Sequence, residues 1–197
     1  MKVIGLTGSI GMGKSTAAQM LRRMGVPVHD SDEVVKTLLL PGSPAMPALA
    51  QHFPEAVNAK TQTVDRAKLG QIVFRDAARR KCLEGITHPL VRDSQQSFIK
   101  SHKALGQRLA VLDIPLLYET GADARLDKVI VVTCPAFLQR QRVMSRDGMT
   151  MDRFNGILAS QMPDHEKRRR ADYVVQTGLG RAYAMWQLKR IINDLSL

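Results

Sequence analysis

Apolar residues fall into five short runs that lack the alternation of a half-exposed strand. Residues 2–6, 26–29, 108–114, 128–133 and 172–175 are rich in Val, Ile and Leu. Such runs read as strands covered on both faces, the habit of parallel sheets. Between them the apolar positions take helical spacing, at 14–24, 135–146, 150–161 and 181–195. The long stretch 32–102 is mostly helical, with breaks expected near Pro41-Gly42, Pro54 to Asn58 and His88-Pro89. His88 before Pro89 predicts a turn that opens a new helix with proline at its first position. Strands alternating with helices predict a doubly wound α/β fold: a five-stranded parallel sheet flanked by helices, with a helical insertion between its second and third strands. No repeat, low-complexity tract or long linker interrupts the chain, so a single domain is expected.

Composition narrows the class. A chain of 197 residues buries about 70% of its unfolded surface and needs neither disulfides nor a metal to fold. Hydrophobic content of 44% with 24% charged residues excludes wholesale disorder. The longest apolar runs, such as Val129 to Val132, fall far short of the roughly 18 residues a membrane span requires. Glycines interrupt the N-terminal residues before a signal-peptide core can develop. The two cysteines, Cys82 and Cys134, are too few for a disulfide framework and read as buried small hydrophobes, which points to a cytoplasmic setting. Twenty-nine Lys and Arg against eighteen Asp and Glu leave a net charge of +11, which attracts polyanions. Nucleic acid is one such partner, but one Trp and three Tyr offer little for base stacking. A small enzyme with two phosphate-rich substrates accounts for the same charge.

The chemistry is concentrated near the N-terminus. Gly8-Ser9-Ile10-Gly11-Met12-Gly13-Lys14-Ser15 has the spacing glycine, four residues, Gly-Lys-Ser/Thr. Average composition gives a chance match in a chain of this size a probability of about 0.7%. The match also follows an expected strand and opens an expected helix, as the motif demands. Glycines let successive N–H groups turn inward around a phosphate, and the helix N-terminus adds its partial positive charge. Lys14 then reaches the β- and γ-phosphates of a nucleotide triphosphate, and Ser15 places its hydroxyl on Mg²⁺. A GTPase would need Asn-Lys-x-Asp, which is absent. A DNA-dependent ATPase usually ends its apolar strand in Asp-Glu, whereas this strand ends Leu112-Asp113-Ile114-Pro115. A small kinase needs instead an acid near the acceptor hydroxyl and arginines that close over the triphosphate.

Both are available. Asp30 and Asp32 stand at the end of the second strand, where α/β sheets bind ligands. Either can take the acceptor's proton, or cap a helix beginning near Glu33. Arg140, Arg142 and Arg146 lie on a helix expected to end at Asp147-Gly148, with Arg142 and Arg146 on one face at i, i+4. They neutralise a transferring phosphoryl group or form a solvated face. The run Lys167-Arg168-Arg169-Arg170 is a basic helix end or a nucleotide contact, and His88 is structural or a substrate contact.

The combination resembles the dephospho-CoA kinases. The resemblance rests on residues 5–16, on Val28-His29-Asp30-Ser31-Asp32 and on Thr87-His88-Pro89-Leu90-Val91. It continues through Asp113-Ile114-Pro115-Leu116-Leu117-Tyr118-Glu119, the arginines around Arg142 and Arg170-Ala171-Asp172-Tyr173-Val174-Val175, in order along essentially the whole chain. It implies a P-loop kinase fold with a core at about 1–36 and 106–197, a helical acceptor-binding region at about 37–105 and a lid at about 138–165. It implies transfer of the ATP γ-phosphoryl to the ribose 3′-hydroxyl of dephospho-CoA, with Mg²⁺, and no nucleic-acid, membrane or obligate protein partner. Asp32 corresponds to the proposed base, acting with Lys14, Arg142 and Arg146. Gly8, Gly11, Met12, Gly13, Lys14, Ser15, Thr16 and Arg140 are expected on ATP, and Asp30, His88, Leu116 and Glu119 on the acceptor. Ser15 is the expected Mg²⁺ ligand, with Asp113 as a second. Departures from the family pattern are Ser9 for Gly, Met12 for Ser, Ser31 for Ala and Gln176 for Asn. Another small-metabolite or nucleoside monophosphate kinase, and a nucleic-acid-binding ATPase, are the competing readings.

Overall fold

The computed structural model describes residues 1–58 and 60–196. The chain opens with β1 (Lys2–Thr7), α1 (Lys14–Arg23) and β2 (Val28–Asp30). There follow α2 (Ser31–Leu38), α3 (Met46–His52), the short strands β3 (Val57–Asn58) and β4 (Thr63–Val64), α4 (Arg66–Arg75) and α5 (Ala77–Ala104). Beyond these lie β5 (Leu109–Asp113), a 3-10 turn at Ala122–Arg125, β6 (Lys128–Thr133), α6 (Ala136–Met144), α7 (Met151–Ala159) and α8 (Asp164–Arg170). The chain closes with β7 (Tyr173–Gln176) and α9 (Arg181–Ser196). Among the described residues no helix is long and apolar enough to cross a membrane.

The five expected strands form one sheet in the order β2-β5-β1-β6-β7. β1 pairs parallel with β5 on one side and with β6 on the other, and β6 pairs parallel with β7. The register sets Leu6 beside Asp113 and Thr133 beside Gln176, which brings the carboxyl ends of these strands to one edge. Every residue of β5 is buried, and β6 is buried after Lys128, as strands covered on both faces require.

Two compact units are distinguished, Met1–His29 with Ser101–Leu197, and Asp30–Lys100. In the first, Ile4, Leu6, Val111, Ile130, Val132 and Val175 of the sheet share a core with Leu21 of α1 and Leu188 of α9. Truncating a fully buried leucine such as Leu21 to alanine costs about 2–5 kcal/mol. In the second, Leu38, Met46, Leu49, Phe53, Leu69 and Val91 form a separate core. Asp65 caps α4 by accepting from Lys68 N–H at 2.9 Å.

Two expectations for the insertion need correction. Pro89 does not begin a helix but lies inside the 28-residue α5. Thr87, Val91 and Gln95 keep one face of α5 buried on both sides of the proline. The amide hydrogen bond to Gly85 that Pro89 cannot make falls on an exposed residue, whose carbonyl water can reach. Tertiary packing thus outweighs the local stop signal. The second difference is the antiparallel pair β3–β4, with Val57 opposite Val64, in a stretch read as helical apart from its breaks.

Candidate active site

The turn between β1 and α1 forms a phosphate loop. A Cβ on Gly8 would lie 2.5 Å from Val132 Cγ2 and 2.7 Å from the Val132 carbonyl oxygen, so no larger residue fits there. Gly13 is the N-cap of α1 with φ 93°, a left-handed conformation that glycine adopts without strain. No side chain caps α1 and no acid stands in its first turn. Its N-terminal N–H groups, those of Lys14, Ser15 and Thr16 among them, have no intrahelical acceptor and are set to meet an anion.

Lys14 projects from this turn and its ammonium pairs with Asp113 Oδ1 at the end of β5. Asp113 is 2% exposed, so the pair sits in a medium where a charge without a partner is costly. Ser15 follows Lys14 in the same turn. A serine hydroxyl and a carboxylate are hard oxygen donors of the kind Mg²⁺ takes, one or two from protein and the rest from phosphate and water. Among the described residues no group of three or more His, Cys, Asp or Glu forms a cage for a metal. The donor set therefore fits Mg²⁺ that arrives with a nucleotide.

Several side chains outside the motif hold the loop. Gln161 Oε1 accepts from Ile10 N–H at 3.0 Å, and Gln139 Nε2 donates to the Ile10 carbonyl at 2.8 Å. Thr177, just after β7, donates its hydroxyl to the Met12 carbonyl at 2.7 Å. Met12 Sδ accepts from Cys134 N–H at 3.2 Å, which ties the loop to the end of β6. Burial pushes the Cys134 thiol above its ordinary pKa, against the opposing pull of Arg142. None of these contacts follows from spacing, because each joins residues more than 120 positions apart.

The arginines divide. Arg142, near the end of α6, donates through Nη1 to Thr177 Oγ1 at 3.1 Å and through Nη2 to the Thr177 carbonyl at 2.9 Å. Arg140 is exposed on the same helix. Arg146 does not share that helix, contrary to expectation: α6 ends at Met144 and Ser145 is its C-cap. The Ser145 hydroxyl donates to the Arg142 carbonyl at 3.0 Å, which satisfies one of the terminal acceptors.

The expected acceptor-side residues are placed as follows. Asp30 is the N-cap of α2, its Oδ1 accepting from Glu33 N–H at 3.0 Å. Asp32 is an exposed residue in the first turn of α2, which begins at Ser31 rather than near Glu33, so Asp32 is not the cap. His88 is exposed on α5. Leu116 is exposed in the loop after β5. Glu119 Oε1 accepts from Met162 N–H at 2.7 Å and lies 2.8 Å from Lys167 Nζ, an ion pair without hydrogen-bond geometry. Lys167 is fully buried, so the basic run at the end of α8 is not uniformly a solvated face.

A sequence profile of the dephospho-CoA kinase family matches residues 2–180. The chain belongs to the dephospho-CoA kinase family. It is similar to the family's Mesorhizobium japonicum member, 52% identical over 195 residues that make up 99% of this chain and 97% of that one. The Agrobacterium fabrum dephospho-CoA kinase is 50% identical over 99% of this chain and 98% of its own length. Among solved structures, a Thermus thermophilus protein superposes with a TM-score of 0.84 at 35% identity, over 98% of this chain and 97% of that one. The Campylobacter jejuni dephospho-CoA kinase does so with a TM-score of 0.71 at 27% identity, covering 98% and 96%. A shikimate kinase from Acinetobacter baumannii, at 19% identity and a TM-score of 0.55, shares the fold.

Proposed function

We propose that this chain transfers the γ-phosphoryl group of ATP to the ribose 3′-hydroxyl of dephospho-CoA, releasing ADP and CoA. The observation that carries the reading is the loop 8–15, with Lys14 held on Asp113, in a chain that matches the dephospho-CoA kinase profile over residues 2–180. The 3′-oxygen bonds to the γ-phosphorus as its bond to the bridging oxygen of ADP breaks, and the hydroxyl proton passes to a carboxylate. Asp32, in the first turn of α2 beside the end of β2, is the proposed acceptor of that proton, as the resemblance to the family implies.

Loop N–H groups and Lys14 hold the β- and γ-phosphates, and the buried Asp113 keeps the Lys14 ammonium beside the loop. Arg142 and Arg146 supply charge to the transferring group, with Arg140 on the nucleotide side. Mg²⁺, held by Ser15 and Asp113, would neutralise phosphate charge when bound. Asp30, His88 and Leu116 are proposed acceptor contacts. Glu119 joins them through Oε2, which is buried and has no hydrogen-bond partner. The test is ADP release with dephospho-CoA, AMP, CMP and shikimate as competing acceptors. Dephospho-CoA should give the highest turnover. Equal or faster release with a nucleoside monophosphate, and none with dephospho-CoA, would assign the chain to another small-molecule kinase activity.

A further inference from the structure

We propose that Thr177 is a positioning residue for phosphoryl transfer, its hydroxyl fixing the Arg142 guanidinium against the phosphate loop before substrate arrives. This deepens the kinase reading and rests on it. Thr177 lies outside the glycine-lysine-serine motif, one residue beyond β7. Its backbone N–H donates to the Thr133 carbonyl at 2.8 Å, which anchors the residue to the end of β6. Its hydroxyl then meets Arg142, the Met12 carbonyl and the Thr133 carbonyl.

The direction of each hydrogen bond is forced by chemistry. A guanidinium only donates and a carbonyl only accepts. The hydroxyl proton of Thr177 therefore goes to a carbonyl, Met12 at 2.7 Å being nearer than Thr133 at 3.2 Å, and its lone pair receives Arg142 Nη1 at 3.1 Å. Arg142 Nη2 reaches the Thr177 carbonyl at 2.9 Å, so two arms of the planar fork close on one residue. The threonine also lies against Gly13: a Cβ there would be 3.0 Å from Thr177 Oγ1. One hydroxyl thus joins the cation at the end of α6 to the Met12-Gly13 segment that opens α1. Charge fixed in place before the reaction needs no reorganisation as negative charge develops on the transferring group.

A threonine that merely stabilised the turn after β7 would affect folding and leave the chemical step alone. The two roles separate in a double-mutant cycle with Thr177→Val, Thr177→Ser and Arg142→Ala, reading kcat, KM for both substrates and melting temperature. Valine keeps the shape and removes the hydroxyl. Thr177→Val should lower kcat by about 10–100-fold, with KM for dephospho-CoA changed by less than about threefold. Thr177→Ser should stay within about threefold of wild type, and Thr177→Val should cost less than about threefold in the Arg142→Ala background.

The same loss in both backgrounds, failure of serine to restore kcat, or near wild-type kcat in Thr177→Val overturns the proposal. If valine does not fold, Thr177→Ala replaces it in both backgrounds. A hydroxyl needed for folding in both cases also overturns it. Wild-type turnover of dephospho-CoA is measured first: its absence defeats the kinase reading, whereas the cycle decides only the role of Thr177.

Discussion

Replacing Glu119 with glutamine removes the counter-charge of Lys167 with almost no change in shape. The Lys167 side chain is 0% exposed and that of Glu119 17%, and their charged atoms are 2.8 Å apart. Removing one partner of a buried pair costs about 3–5 kcal/mol, because the other charge stays buried without compensation. The partial exposure of the Glu119 side chain places the loss at the lower end, about 3 kcal/mol. For a chain of this length each kcal/mol moves the melting temperature by about 2–4 °C, so Glu119→Gln should melt about 6–12 °C lower. Lys167→Met removes the buried charge while keeping the stem's length. Glu119 then retains the Met162 N–H and its side chain is 17% exposed, so this variant should lose less, about 1–2 kcal/mol. In the Lys167→Met background Glu119→Gln should cost under about 1 kcal/mol, because the charge it strands is gone. Calorimetric melts of the wild type, both single variants and the double variant give all four values. A shift below about 2 °C for Glu119→Gln, or the same loss in both backgrounds, would refute the buried pair as a stabilising contact.

Lys14→Ala should reduce turnover more than tenfold, a barrier rise above about 1.4 kcal/mol, and a variant that kept a larger share of activity would contradict its phosphate role. Asp30→Ala removes the cap of α2 and should cost about 1 kcal/mol in a melt. Asp32→Asn leaves that cap in place, so it should melt like wild type while turnover falls by about 10²–10⁴, the lower end being expected for a reaction governed by positioning. A value within about threefold of wild type would move the base elsewhere. Burial, with Asp123 and Asp172 nearby and Arg170 opposing, pushes Tyr118 up to about 12. A raised phenol pKa stabilises the fold while the group is protonated in both states, and the benefit disappears as pH rises from about 10 to about 12. Tyr118→Phe should therefore lose less stability across that window, and parallel pH profiles for the two proteins would contradict the assignment.

The sheet was legible because its strands are short, apolar and bounded by polar or glycine-rich turns. The phosphate loop was legible because its chemistry lies in eight consecutive residues, 8–15. What was not legible depends on distance or on competition between signals. The pairing of Lys14 with Asp113 spans 99 positions, and nothing local to either residue marks the other as its partner. Thr177, Gln139 and Gln161 are ordinary polar residues in the sequence, and only the packing of α6 and the neighbouring turns brings them to the loop. At Pro89 the local rule predicted a boundary, but the buried face of α5 continues through it. At Arg146 the arginine spacing suggested one continuous helix, but Ser145 ends α6 first. The hairpin β3–β4 has only two residues in each strand, too few for alternation to register.

The most direct measurement is phosphorus NMR of the product formed by the purified chain from equal amounts of ATP and dephospho-CoA with Mg²⁺. One new phosphomonoester, coupled to the ribose 3′ proton and formed in step with ADP, is the expected result. Inorganic phosphate in place of that ester, with dephospho-CoA left unchanged, would contradict the account.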